Sequence, residues 1–111
     1  MIDSRDASGN IIWAGGASGG IWKCTNAGVN WTIISDQYNN MSVTSIVQDP
    51  NNANIIYFGT GEGHSFNNCI KGNGIYKSTD GSVNFSPISL TVNNPDFEFV
   101  NRLAIHSYNG T

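Results

Sequence analysis

Charged side chains are scarce in this sequence. Asp, Glu, Lys and Arg make up 12% of its 111 residues, about half the usual share of a soluble domain. Long solvent-exposed helices, which draw on Glu, Lys, Arg and Ala, are poorly served by such a composition. Positive charge is scarcest: five Lys and Arg are scattered along a chain of net charge -3. A stripe of basic residues able to neutralise phosphates is therefore missing, which argues against a nucleic-acid partner. No apolar run approaches the roughly 18 residues of a membrane-spanning helix. No secretory leader is legible either, since Met1 is followed at once by Asp3, Arg5 and Asp6. The Glu62-x-His64 spacing is by itself a poor metal signal, since a structural site usually takes four ligands. Neither a metal nor a cofactor is expected.

What fills the space is asparagine, 16 residues, beside 13 glycines. Both types suit tight turns between short strands. Laying the sequence over itself shows how those turns are ordered. Gly20-Ile21-Trp22-Lys23-Cys24-Thr25-Asn26 matches Gly74-Ile75-Tyr76-Lys77-Ser78-Thr79-Asp80 at an offset of 54, and Val29-Asn30-Trp31 matches Val83-Asn84-Phe85 at the same offset. Upstream, Asn10-Ile11-Ile12-Trp13-Ala14-Gly15 matches Asn54-Ile55-Ile56-Tyr57-Phe58-Gly59 at an offset of 44, so ten residues are inserted between Glu62 and Asn73. A third element, Val43 to Asp49, returns as Val100 to His106.

Each repeat reads as four short strands bounded by Gly, Asn, Pro or Asp. The second copy places them near 43–48, 54–59, 74–78 and 85–90, and the first supplies 10–15, 19–24 and 31–35. Four strands at this period are the mark of a propeller blade. The expected fold is all-β: a β-propeller fragment of about two four-stranded antiparallel blades plus the first strand of a third. Residues 1–42 form a partial blade, 43–92 a complete one, and 93–111 open the next.

The turn before each last strand carries a family signature. Ser78-Thr79-Asp80-Gly81-Ser82-Val83-Asn84-Phe85 resembles the Asp-box, Ser-x-Asp-x-Gly-x-x-Trp, and Cys24 to Trp31 is a more eroded copy. With the Gly-Ile-Tyr/Trp-Lys lead-in, the chain resembles the sortilin-like BNR propellers, many of them large secreted bacterial proteins. The resemblance implies a secreted or cell-surface protein whose partners include the remaining blades of a longer propeller. The box residues Asn26, Gly28, Trp31, Ser78, Asp80, Gly81 and Phe85 are expected to be structural. Asp80 and Asn26 would accept hydrogen bonds from N–H groups of their own turns. Gly28 or Gly81 would supply a positive φ, and Trp31 or Phe85 would pack inward.

The leading expectation is a non-enzymatic scaffold that binds a glycan or a polypeptide. The alternative is part of a secreted glycoside hydrolase, xyloglucanase- or sialidase-like, with its catalytic carboxylates outside this chain; an assembly-factor propeller is a third class. Hydrolysis needs two carboxylates facing across a cleft. In related xyloglucan-cleaving enzymes one catalytic Asp precedes the Gly-Gly that opens the third strand, and here that position is Ala17. Sialidases grip a substrate carboxylate with several arginines, against Arg5 and Arg102 here. No catalytic residue is therefore assigned. The inserted loop, with Glu62, His64, Phe66, Asn67 and Asn68, is the candidate ligand-binding edge, on the face opposite the Asp-box turns.

The same layout separates the two cysteines, placing Cys24 at the Asp-box end of one blade and Cys69 at the opposite end of the next. A strand of five or six residues spans roughly 17–20 Å, whereas a disulfide needs Cα atoms within about 7 Å. Both thiols are expected to be free. Alkylation of the unreduced, denatured protein should therefore label Cys24 and Cys69 alike, and a tryptic peptide pair linked through them would break the blade assignment.

Overall fold

The computed structural model describes residues 1–17, 19–34, 42–63 and 70–107. Seven strands form two antiparallel sheets. Sheet 1 contains β1 (Ile12–Gly16), β2 (Gly20–Cys24) and β3 (Trp31–Ile33), in that order. Sheet 2 contains β4 (Val43–Gln48), β5 (Ile56–Thr60), β6 (Ile75–Ser78) and β7 (Ser86–Pro87), also in chain order. The first-strand position of sheet 1, that of β4 in sheet 2, is held by the start of the chain: Ile2 bridges Ile12, Asp3 N donates to Ile11 O at 2.9 Å, and Trp13 N donates to Met1 O at 2.7 Å.

The two sheets share one register. Gly15 pairs with Ile21 and Trp13 with Lys23 in sheet 1; Gly59 pairs with Ile75 and Tyr57 with Lys77 in sheet 2. Because strand side chains alternate, Trp13, Gly15, Ile21 and Lys23 share one face of sheet 1. Ile56, Phe58, Tyr76 and Ser78 share the opposite face of sheet 2. These two faces pack together, and the core between them is Trp13, Ile21, Val43, Ile56, Phe58, Tyr76 and Phe85. Phe58 stacks on Tyr76 at 5.0 Å and meets the edge of Phe85 at 4.9 Å, geometries worth about 0.5–1.5 kcal/mol each beyond burial.

Close approach of the sheets explains a matched pair of glycines. A Cβ on Gly15 would lie 2.6 Å from Val43 Cγ1, and a Cβ on Gly59 would lie 2.5 Å from Val100 Cγ1. Val100 thus stands to sheet 2 as Val43 stands to sheet 1. Val100 N donates to Thr60 O at 2.9 Å, Thr44 Oγ1 donates to Val100 O, and Leu103 N donates to Ser45 Oγ at 3.0 Å. Residues 100–107 lie where a further first strand begins. No strand is assigned within them.

Two strands are shorter than expected. The run 85–90 yields only Ser86–Pro87, because Pro87 has no N–H to donate and a 3₁₀ turn follows at Ser89–Thr91. There the Thr91 side chain takes over from the backbone, accepting from Ile75 N at 3.0 Å. The run 31–35 yields Trp31–Ile33, and residue 35 lies outside the described residues.

One side chain ties the sheets together at the turn end. Ser82 sits at φ +77°, a left-handed conformation that costs a non-glycine residue roughly 1–2 kcal/mol. Its hydroxyl accepts from Trp13 Nε1 at 3.0 Å and from Lys23 Nζ at 3.3 Å, while the Lys23 ammonium lies 5.2 Å from the Trp13 ring. A charge-assisted bond of this kind contributes about 1.5–3 kcal/mol, enough to offset the strain. Ser82→Ala, which keeps the strain and loses the bonds, should cost about 1–3 kcal/mol, and Ser82→Gly about 1 kcal/mol less than Ala. Urea unfolding of both variants reads the difference directly. An Ala variant as stable as the Gly variant would exclude strain at residue 82.

Candidate functional site

Antiparallel pairing gives the sheets two distinct ends. At one end lie the turns 24–31 and 78–85, built on one plan. Ser78 Oγ accepts from Ser82 N at 3.0 Å and donates to Asp80 Oδ1 at 2.8 Å, while Asn84 N donates to the same Oδ1 at 2.9 Å. In the first turn Cys24 Sγ accepts from Gly28 N at 2.9 Å and donates to Asn26 Oδ1 at 3.0 Å, and Asn30 N donates to that oxygen at 2.8 Å. Sulfur stands in for oxygen without altering the pattern. Positive φ angles fall on Ala27 and Gly28 in one turn and on Gly81 and Ser82 in the other.

The backbone N–H of Asn84, its side-chain amide and the Ser78 hydroxyl hold the Asp80 carboxyl down at about 2. All of these partners belong to the turn itself. The aromatic that follows differs between copies: Phe85 is 5% exposed, but Trp31 is 39% exposed and its indole donates to Gly28 O at 3.1 Å. The inward packing expected of Trp31 is not found. Phe85 is covered by sheet 1, whereas no sheet stands before Trp31 among the described residues.

Composition gave no reason to single out Asp3, yet it is the most completely buried carboxylate described. Arg5 grips it through Nη2 at 2.7 Å and Nε at 3.1 Å, and Arg5 N adds a third bond at 2.9 Å. Gln48 Nε2 of sheet 2 adds a fourth at 3.1 Å, and Arg5 Nη1 reaches Asn54 Oδ1 at 2.6 Å. The Arg5 side-chain hydrogen bonds, outweighing burial, pull the Asp3 carboxyl down to about 2. This is a clamp between sheets, with every contact inside the chain.

The other end carries the β5–β6 connection. Glu62 N donates to Ile70 O at 2.8 Å, closing the inserted loop at its base. Glu62 is half-buried; His64, Phe66, Asn67, Asn68 and Cys69 lie outside the described residues. Cys24 is a free, buried thiol. Gly72 N donates to Glu98 O at 2.8 Å, bringing the segment after β7 against the loop base. Between them opens a cavity of about 260 Å³ bordered by Lys71, Asn73, Thr91, Asn93, Phe97 and Glu98.

Lys71 Nζ meets Glu98 Oε2 at 3.3 Å, both well exposed, a pairing worth at most about 1 kcal/mol. Asn73 Oδ1 accepts from Asn93 N at 3.2 Å, so part of the amide lining is engaged in shaping the turn. The cleft is polar, and its one ammonium and one carboxylate offset each other. Ala17 lies exposed in the β1–β2 connection at this same end, and a methyl group moves no proton. Among the described residues no three His, Cys, Asp or Glu side chains gather to hold a metal.

No protein-family model matches the chain. Over 87 residues it is 33% identical to a xyloglucanase of Hypocrea jecorina (strain QM6a), covering 78% of this chain and 9% of that protein. The crystal structure of the Niastella koreensis GH74 enzyme superposes with a TM-score of 0.63 at 28% identity, over 91% of this chain and 14% of that one. The fold is a piece of a β-propeller. An ancestral GH74 enzyme superposes at 0.59 and 22% identity, over 78% of this chain and 12% of that one, a likeness of fold alone. Sheets 1 and 2 are neighbouring blades, and the chain spans less than a fifth of each of these relatives.

The Asp3 clamp has a pH signature. Its carboxyl is lowered from 3.8 to about 2 in the fold, so its stabilisation is complete above the unfolded value and is lost as pH falls through the folded one. Thermal unfolding of the wild type should drop between about pH 4 and 2, and Asp3→Asn should be less stable at pH 7 with a flatter profile across that window. Parallel profiles for the two proteins would remove Asp3 as a source of acid sensitivity.

Proposed function

We propose that the chain is a two-blade segment of a secreted glycoside hydrolase of the xyloglucanase type. The observation that carries this reading is the 33% identity over 87 residues to a xyloglucanase, supported by superposition on a GH74 enzyme across 91% of the chain. In this reading the two blades are wall, and the carboxylate pair that hydrolysis requires belongs to other blades of the propeller. The cleft between the loop base and Glu98 suits that place. Its offsetting charges and the half-buried Phe97 beside amide groups favour an uncharged polyhydroxylated chain over an anion.

The turns at Cys24 and Ser78 are Asp-box turns of the BNR type in this proposal. Support comes from their common hydrogen-bond plan, in which the third residue's side chain ties down the seventh residue's N–H.

A binding scaffold without catalysis remains the second reading, and Ala17 favours it. An alanine stands where the resemblance would put a catalytic aspartate. One experiment separates the two. The polypeptide encoded with this segment, incubated with xyloglucan, is expected to release reducing ends. Retention on immobilised xyloglucan with no release would select the scaffold, and neither release nor retention would exclude xyloglucan for both readings.

A further inference from the structure

The β5–β6 connection ends on Asn73-Gly74. The packing at Gly74 admits glycine alone. Its φ is +87°, and a Cβ there would lie 2.4 Å from Thr91 Oγ1 and 2.7 Å from Thr91 O. The buried Thr60 grips the pair at both ends: its hydroxyl accepts from Asn73 N at 2.9 Å and donates to Gly74 O at 2.7 Å. In the first repeat the equivalent pair is Gly19-Gly20, so the asparagine belongs to the second repeat only.

Asparagine before glycine is a chemically weak point in a chain, because no Cβ shields the glycine nitrogen from the side-chain carbonyl. Here the reacting groups are also left free. Among the described residues neither the Gly74 N–H nor the Asn73 Nδ2 has a hydrogen-bond partner. Asn73 Oδ1 accepts from Asn93 N at 3.2 Å, a donor aimed at the oxygen that gains charge when a nucleophile adds to Cγ. Asn73 is exposed, so base and water reach it. Other asparagines lack this combination. Asn94 precedes Pro95, which has no N–H. Asn84 Nδ2 is tied to Asp80 Oδ2 at 3.0 Å. Asn10 and Asn54 precede isoleucines, whose branched side chains screen the nitrogen.

We propose that Asn73 is a site of self-modification, converted in the folded protein to aspartate and isoaspartate. A solvent base takes the Gly74 N–H proton, and the nitrogen adds to Asn73 Cγ. The bond from Cγ to Nδ2 breaks, and ammonia leaves with a proton, closing a five-membered imide. Water then opens the imide at either carbonyl. The net exchange is water in and ammonia out, with nothing oxidised or reduced.

The product changes the cleft that Asn73 borders with Lys71 and Glu98. A new carboxylate there tips a balanced pair of charges to the negative side. Isoaspartate also lengthens the main chain by a methylene between the two groups that Thr60 holds, so it loosens that grip. The inference rests on this residue pair and is independent of the hydrolase reading.

Incubation of the polypeptide as its gene encodes it, at mildly alkaline pH, tests the site. Trypsin releases Gly72 to Lys77 as one peptide. Its amide-to-acid mass shift should appear before that of any other described asparagine and rise with hydroxide concentration, with isoaspartate identified by electron-transfer fragmentation. A synthetic peptide of the same six residues, incubated alongside, sets the clock. Intact Asn73 after that peptide has fully converted would overturn the proposal, as would earlier conversion of another described asparagine. Asn73→Gln, whose longer arm requires a six-membered ring, should lose the shift at this position, and an undiminished shift there would also overturn it. The incubation uses the unsubstituted protein and decides the matter if the variant fails to fold.

Discussion

A four-stranded blade has two faces, and in this chain both are rich in large apolar side chains. Neither face can be buried by the blade that owns it. Burying apolar surface stabilises by about 25 cal/mol per Å², and here that surface is shared between neighbours. Phe58, Tyr76 and Phe85 are core residues because Trp13 and Ile21 stand across from them. Trp31, the counterpart of Phe85, is exposed for want of such a neighbour. Stability in such an architecture is a sum over interfaces more than over units, so a blade's sequence makes sense only beside the next.

That dependence explains how much of the molecule was legible in its sequence. Two copies of Gly-Ile-aromatic-Lys in register, each followed by an Asx corner, specified strands β2 and β6 to within a residue. They also specified the division into two sheets. The fourth strand of sheet 2 was overestimated, because Pro87 within the expected run has no N–H to donate and a 3₁₀ turn follows at Ser89–Thr91. Just past that run the Thr91 hydroxyl accepts the bond from Ile75 N, a contact that exists only once β6 lies alongside. The exposure of Trp31 was misjudged for a similar reason, since inward has no meaning for a side chain until the adjoining blade is specified.

The candidate site was less legible. Asp3 looked like one acid among eight. Its role depends on Gln48, 45 positions away, and on a guanidinium two residues on that reaches across to Asn54. A nearby Arg two residues from an Asp is a weak local hint, too common to single out. Ser82 tells the opposite story. A serine where the turn pattern calls for glycine was visible as a departure, and its meaning appeared only with the Trp13 indole beside it. A residue that breaks a local rule can mark a long-range contact.

The ten-residue excess between β5 and β6 has a consequence for how such molecules change. Gly59 still faces Ile75 as Gly15 faces Ile21, so the extra length shifts no strand. Chain is added at one rim only, above a base fixed by the Glu62 to Ile70 hydrogen bond. At the other rim, the turns hold the same eight-residue plan even when sulfur replaces oxygen. One edge of the blade is thus constrained in spacing and tolerant in chemistry, and the other is free in spacing. New surface can be grafted where the spacing is free, while the sheets beneath it keep their alignment.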